Sequence, residues 1–139
     1  MTPPDSAAIT TPMKRLLLGI AAAAALASPA LAHHALAMFD RGQPVTFTGV
    51  VKSFESMNPH SWLQVDVVSA GKTTEWALEV EAPSVLARAG IKPADFVVGE
   101  RVKVVAWPLR DGRPGGSLVS LTRPNGAVLD PRKGMGRTP

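Results

Sequence analysis

All three histidines of the 139-residue chain fall in two short motifs: His33-His34, and His60 within Asn58-Pro59-His60-Ser61-Trp62. Imidazole nitrogen suits copper, zinc and nickel. If a leader is removed after Ala32, His33 carries a free α-amine, ordinarily titrating at about 7.7–8.0, beside its own imidazole. Amine and ring can then close a chelate, with His34 or His60 supplying another nitrogen and Met38 or Met57 offering thioether sulfur to Cu(I). The expectation is a copper site, or in second place a zinc site, at His33, His34 and His60. The plainer alternative is a polar terminus plus a loop histidine whose ring N–H holds the backbone. No H-x-x-H or H-E-x-x-H spacing is present to decide between them.

A second group of chemistry-bearing residues is Arg110-Asp111-Gly112-Arg113-Pro114-Gly115-Gly116. Two arginines in glycine-rich backbone suit a carboxylate, phosphate or sulfate, because guanidinium is a planar fork of donors and exposed N–H groups form anion nests. The same residues also read as turn chemistry with solvated arginines, and that reading has more weight. Catalysis has little to build on. Ser61 and Ser117 lack a base-and-orienter set beyond His60, and no G-x-S-x-G elbow occurs. Glu79 and Glu81 share a strand face by spacing, which fits a solvent-facing edge. The expectation is a non-enzyme.

The elements that must position these groups follow from periodicity. Val45 to Phe54 is rich in β-branched and aromatic residues, with Gly49 marking a bend or bulge. Ser61 to Val68 alternates Leu63, Val65 and Val67 against Trp62, Gln64 and Asp66. After a turn at Ala70-Gly71-Lys72, Thr73 to Val80 places Trp76, Leu78 and Val80 on its core face. Pro83 then starts a helix of about two turns with a stop at Gly90. Glu100 to Trp107 is a fourth strand, Pro108 to Gly116 a loop and Ser117 to Thr122 a fifth strand, with Ala127-Val128-Leu129 pairing back briefly.

Five strands with a helix between the third and fourth predict an all-β domain with one short helix, a small OB-like barrel of order β-β-β-α-β-β. An open sandwich or an SH3-like barrel with an inserted helix is the alternative. In the OB topology the loops joining strands 1–2 and 4–5 frame one face. That brings Asn58, His60 and Trp62 toward Arg110, Asp111 and Arg113, the expected ligand- or partner-binding set. Trp62 and Trp107 point away from the core and are expected to pack under the loops or against the N-terminal arm.

Composition sets the boundaries. Lys14-Arg15, the apolar residues 16–27 and Ala30-Leu31-Ala32 form a charged, apolar and small-residue series typical of a secretory leader. The apolar run is shorter than the roughly 20 residues a membrane span needs. The expected organisation is a leader over 1–32, an arm over 33–44, a barrel over 45–129 and a disordered tail over 130–139. Met13 makes a more typical leader start, so residues 1–12 read as an over-extended beginning. The net charge is only +4, and it falls further once Lys14, Arg15 and Asp5 leave. With 5% aromatic residues and no tyrosine, that argues against a nucleic-acid channel. The absence of cysteine excludes disulfides, thiolate metal sites, a cysteine nucleophile and a lipidated N-terminal cysteine. The expected location is the periplasm, with no membrane anchor.

In order along the chain, His33-His34-Ala35-Leu36-Ala37-Met38-Phe39-Asp40, Asn58-Pro59-His60-Ser61-Trp62, Ser84-Val85-Leu86-Ala87-Arg88-Ala89-Gly90 and Pro108-Leu109-Arg110-Asp111-Gly112 with Pro114-Gly115-Gly116 are motifs with a precedent. Together they resemble a family of small exported bacterial proteins of unknown function, with an H-H-S-F-A-x-F-D start, an N-P-H-S-W loop and a P-L-R-D-G-x-P-G-G segment. Ala35-Leu36 departs from that pattern's Ser-Phe. The resemblance spans about residues 33–130 and implies an exported single domain; it supplies no activity, cofactor or substrate. The expected function is a periplasmic non-enzymatic binding module for copper or zinc. The alternative is a metal-free module that uses the same face to hold a small anion or an envelope protein partner.

Overall fold

Alternation decides which side of each strand turns inward, and five strands turn the same kind of side to one core. The computed structural model describes residues 37–135, with its compact unit starting at Met38. The strands are β1 (Val45–Glu55), β2 (Ser61–Ser69), β3 (Lys72–Val80), β4 (Arg101–Pro108), β5 (Gly115–Thr122) and a two-residue β6 (Val128–Leu129). Neighbours run β3-β2-β1-β4-β5-β6, and a parallel pairing of β3 with β5 closes the circle. The protein is a closed five-stranded mixed barrel of OB-like connectivity, with β6 added beside β5. Leu63, Val65, Leu78, Val104, Ala106 and Leu121 fill it and have no solvent exposure.

The helix α1 (Pro83–Arg88) lies between β3 and β4. Pro83 stands at its start, where a missing N–H removes no helical bond. At its end the Gly90 N–H donates to the Ala87 carbonyl and the Ile91 N–H to the Leu86 carbonyl, the double bond of a Schellman cap. Leu86 and Ile91 are both buried and join the barrel core with Phe96, whose ring stacks on Phe54 at 4.0 Å. The irregularity expected near Gly49 falls a little later, as a register shift between Val51 and Ser53. Trp76 is only partly buried, packing on Phe47 at 4.6 Å between ring centroids.

Several strand ends shift by one residue, and two larger departures from the sequence expectation have steric causes. The loop read as Pro108–Gly116 gives up its last two residues to β5. A Cβ on Gly116 would overlap the Trp107 carbonyl, and one on Gly115 would lie 2.9 Å from the Ala77 carbonyl oxygen. These glycines let three strands approach closely enough to close the barrel, a role for glycine distinct from turn formation. The tail expected to be disordered from Asp130 continues as a 3₁₀ turn, Pro131–Met135. Gly134 fits against the backbone of Val85 where any Cβ would clash, and its carbonyl accepts a bond from Arg88 Nε at 3.2 Å. Composition alone does not show that docking contact.

Candidate functional site

The end of β1 and the start of β2 are joined through Asn58-Pro59, whose peptide bond is cis. From there the chain alternates. Ser61 is fully buried, while His60 and Trp62 turn to the outer side. The hairpin register places Trp62 directly opposite Glu79, and the next pairing sets Glu79 beside Ser117 of β5. His60 Nδ1 lies 3.3 Å from Glu79 Oε1. One outer patch of the barrel therefore carries an imidazole, an indole and a carboxylate.

The arm supplies the opposite wall. The Met38 carbonyl accepts the Arg110 N–H at 2.9 Å, Phe39 bridges Leu109, and the Asp40 N–H donates to the Pro108 carbonyl at 2.8 Å. This short antiparallel pairing fastens the arm to the start of the β4–β5 loop. Between arm, loop and barrel wall lies an open cleft of about 460 Å³. Its apolar walls are Met38, Phe39, Trp62, Leu109 and Pro114; Ala77 and Gly116 also line it, and Glu79 and Arg113 are its charged groups.

The two charged groups are not equivalent. Burial pushes the Glu79 carboxyl above its ordinary value of 4.5; Glu81 adds to that rise, and His60 opposes it. The Glu79 side chain keeps 20% of its exposure. Arg113 is already engaged: its Nε donates to Asp111 Oδ2 at 2.7 Å and its backbone N–H to Asp111 Oδ1 at 3.1 Å. Those bonds hold the Asp111 carboxyl below its usual range. The Asp111–Arg113 pair is a self-contained turn at the rim, and Glu79, with His60 3.3 Å away, is the acidic group lining the cleft.

Of the residues expected to form a site, Trp62 and Arg113 line this cleft, and His60 reaches it through Glu79. Asp111 takes part by holding Arg113. Asn58 and the Arg110 side chain are exposed, and Arg110 gives its backbone N–H to the arm. His33 and His34 lie outside the described residues. Among the described residues, no three metal-ligating side chains of the His, Cys, Asp and Glu types cluster together. Glu79 is the residue that sequence reasoning assigned to a solvent-facing edge. At Glu79, β3 is not an edge, because β5 pairs with it over Ala77, Leu78 and Glu79. A signal was available: a turn at Ala70-Gly71 fixes the hairpin register and sets Glu79 across from Trp62.

A model of a family of unknown function, DUF6152, matches residues 21–118, a span that includes Met38, Trp62, Glu79 and Arg113. No curated protein matches the chain, and no solved structure does.

Proposed function

The chain belongs to the DUF6152 family of unknown function, and from that footing we propose that it is an exported, periplasmic binding module that acts without catalysis. Its ligand site is the cleft between the arm and the barrel wall. The ligand class is an apolar body with a cationic end, either a free amine or a basic side chain on a peptide of an envelope protein. The observation that carries this reading is Glu79, a partly buried carboxylate beside an indole in an otherwise apolar cleft. Small-molecule sites usually have volumes of roughly 300–1,000 Å³ with mostly apolar walls and few polar groups, and this cleft has that character. A cation at Glu79 gains an opposite charge and the face of Trp62. Anion capture at Arg113 is disfavoured because Asp111 already engages its Nε and its backbone N–H and neutralises its charge.

The test is heteronuclear NMR with two probes, phenethylamine and the dipeptide amide Phe-Arg. Saturable shifts centred on the Trp62 indole and on the backbone of Glu79 and Leu109 support the reading. A larger response to the dipeptide identifies a peptide ligand, and an equal one a small amine. Scattered, unsaturable shifts with both probes would overturn it.

A second reading adds a metal. His60 and Glu79 stand together as one nitrogen and one oxygen donor, and His33 and His34 are the further donors the sequence offers for copper or zinc. Cu(II) titration of protein cut after Ala32 tests it. Tight binding that is lost in His60→Ala and in His33→Ala supports a copper centre, and binding equal in all three proteins rejects it.

A further inference from the structure

On the outer side of β4, one strand over from Glu79 through their shared partner Ser117, Trp107 carries two arginines on its ring. The Arg132 guanidinium carbon sits 3.5 Å from the ring centroid and that of Arg41 sits 4.4 Å away. Three separate parts of the chain meet here, and each is fixed. Trp107 is paired in the barrel with Ser117. Arg41 follows Asp40, whose N–H is tied to β4 and whose carboxylate accepts the Gly42 N–H at 3.1 Å. Arg132 is the second residue of the 3₁₀ turn, with its N–H on Asp130 Oδ1 at 3.0 Å, and the Arg88 bond to Gly134 holds that turn to α1.

Two like charges drawn to one indole repel each other. Among the described residues, neither guanidinium has a carboxylate oxygen within 4.0 Å. Glu81 and Asp130 act on Arg132 from farther away, while burial and Arg41 both work against its charge and hold it below its ordinary pKa. Stacking on tryptophan accounts for part of this arrangement, since the negative face of the indole attracts a cation. Among the described residues, it leaves the in-plane N–H donors of both arginines without a carboxylate partner.

We propose that Arg41 and Arg132, arranged on Trp107, form a binding site for a tetrahedral oxyanion of the phosphate type. Guanidinium donors lie in the plane of the group, so stacking on the indole leaves them available at its edges for phosphate oxygens. An anion shared by the two arginines offsets their mutual repulsion and the desolvation of Arg132. The site shares no lining residue with the neighbouring Glu79 cleft and has the opposite sign of charge, and it does not depend on the function proposed for that cleft.

The indole N–H resonance of Trp107, assigned with Trp107→Phe, is followed at constant ionic strength during titration with inorganic phosphate or with phosphatidylglycerol vesicles. The expected result is a saturable response in the wild-type protein that is about ten-fold weaker in Arg41→Gln and in Arg132→Gln. Where free phosphate binds, it should also raise the thermal midpoint of the wild-type protein, and raise it less in both variants. Response to free phosphate identifies a soluble ligand, and response to vesicles alone identifies a lipid headgroup. Arg41 is exposed, so Arg41→Gln remains informative if Arg132→Gln fails to fold. An equal response to chloride, or unchanged phosphate affinity in Arg41→Gln, would overturn the proposal.

Discussion

Trp62 of β2 and Glu79 of β3 are direct cross-strand partners on the outer wall of the barrel, and both line the cleft beneath the N-terminal arm. Trp62 keeps 37% of its exposure there. The pairing puts a carboxylate beside a large apolar ring, which removes water from the carboxylate and leaves the ring open to a ligand.

The raised Glu79 carboxyl has a consequence for stability. The folded state holds this proton more tightly than the unfolded chain does, chiefly because burial disfavours the carboxylate. The contribution is therefore complete below the ordinary value of 4.5 and is lost as pH rises through the higher folded value. Urea denaturation across the acid range should show Glu79→Gln gaining on the wild-type protein as pH rises through that window. A constant difference between the two proteins would show that Glu79 does not titrate in this way.

Gly116 tests how the barrel closes. Its Cα faces the Trp107 carbonyl with no room for a methyl group, and Leu78 of β3 pairs with it from the other side. Gly116→Ala is expected to lower unfolding free energy by about 2–3 kcal/mol, the scale of overpacking in a close-packed interior. Chemical denaturation measures this directly; a change under about 0.5 kcal/mol, typical of an open surface position, would contradict the close approach.

Ser61 gives a prediction of the opposite sign. Its side chain is fully buried and, among the described residues, its hydroxyl has no hydrogen-bond partner. Removing an unsatisfied buried polar group relieves a desolvation penalty of about 1–3 kcal/mol, less the small loss of packing. Ser61→Ala should therefore raise the denaturation midpoint. A fall of similar size would mean that the hydroxyl has a partner, such as an internal water.

The order of strands was legible because local rules and the core agree. Leu63, Val65, Leu78 and Val80 alternate in sequence and are buried in the barrel, and Pro83 and Gly90 bracket the helix they were expected to bracket. The two loops flanking the site were legible at the level of topology. What local pattern could not reveal depended on close approach between distant segments. Gly115-Gly116 looked like a turn until a third strand had to pass beside it. Gly134 looked like a disordered tail until α1 was there to receive it. Glu79 resembled an edge residue because the parallel β3–β5 pairing joins segments far apart in the chain, and no short-range signal announces such a pair.

The most direct test of the cleft is calorimetric titration of phenethylamine into the wild-type protein, Glu79→Gln and Trp62→Ala, each first shown to be folded by its thermal transition. The account predicts saturable binding to the wild-type protein, about ten-fold weaker binding to Glu79→Gln through loss of the charged partner, and no measurable binding to Trp62→Ala. Equal affinity in all three proteins would contradict it.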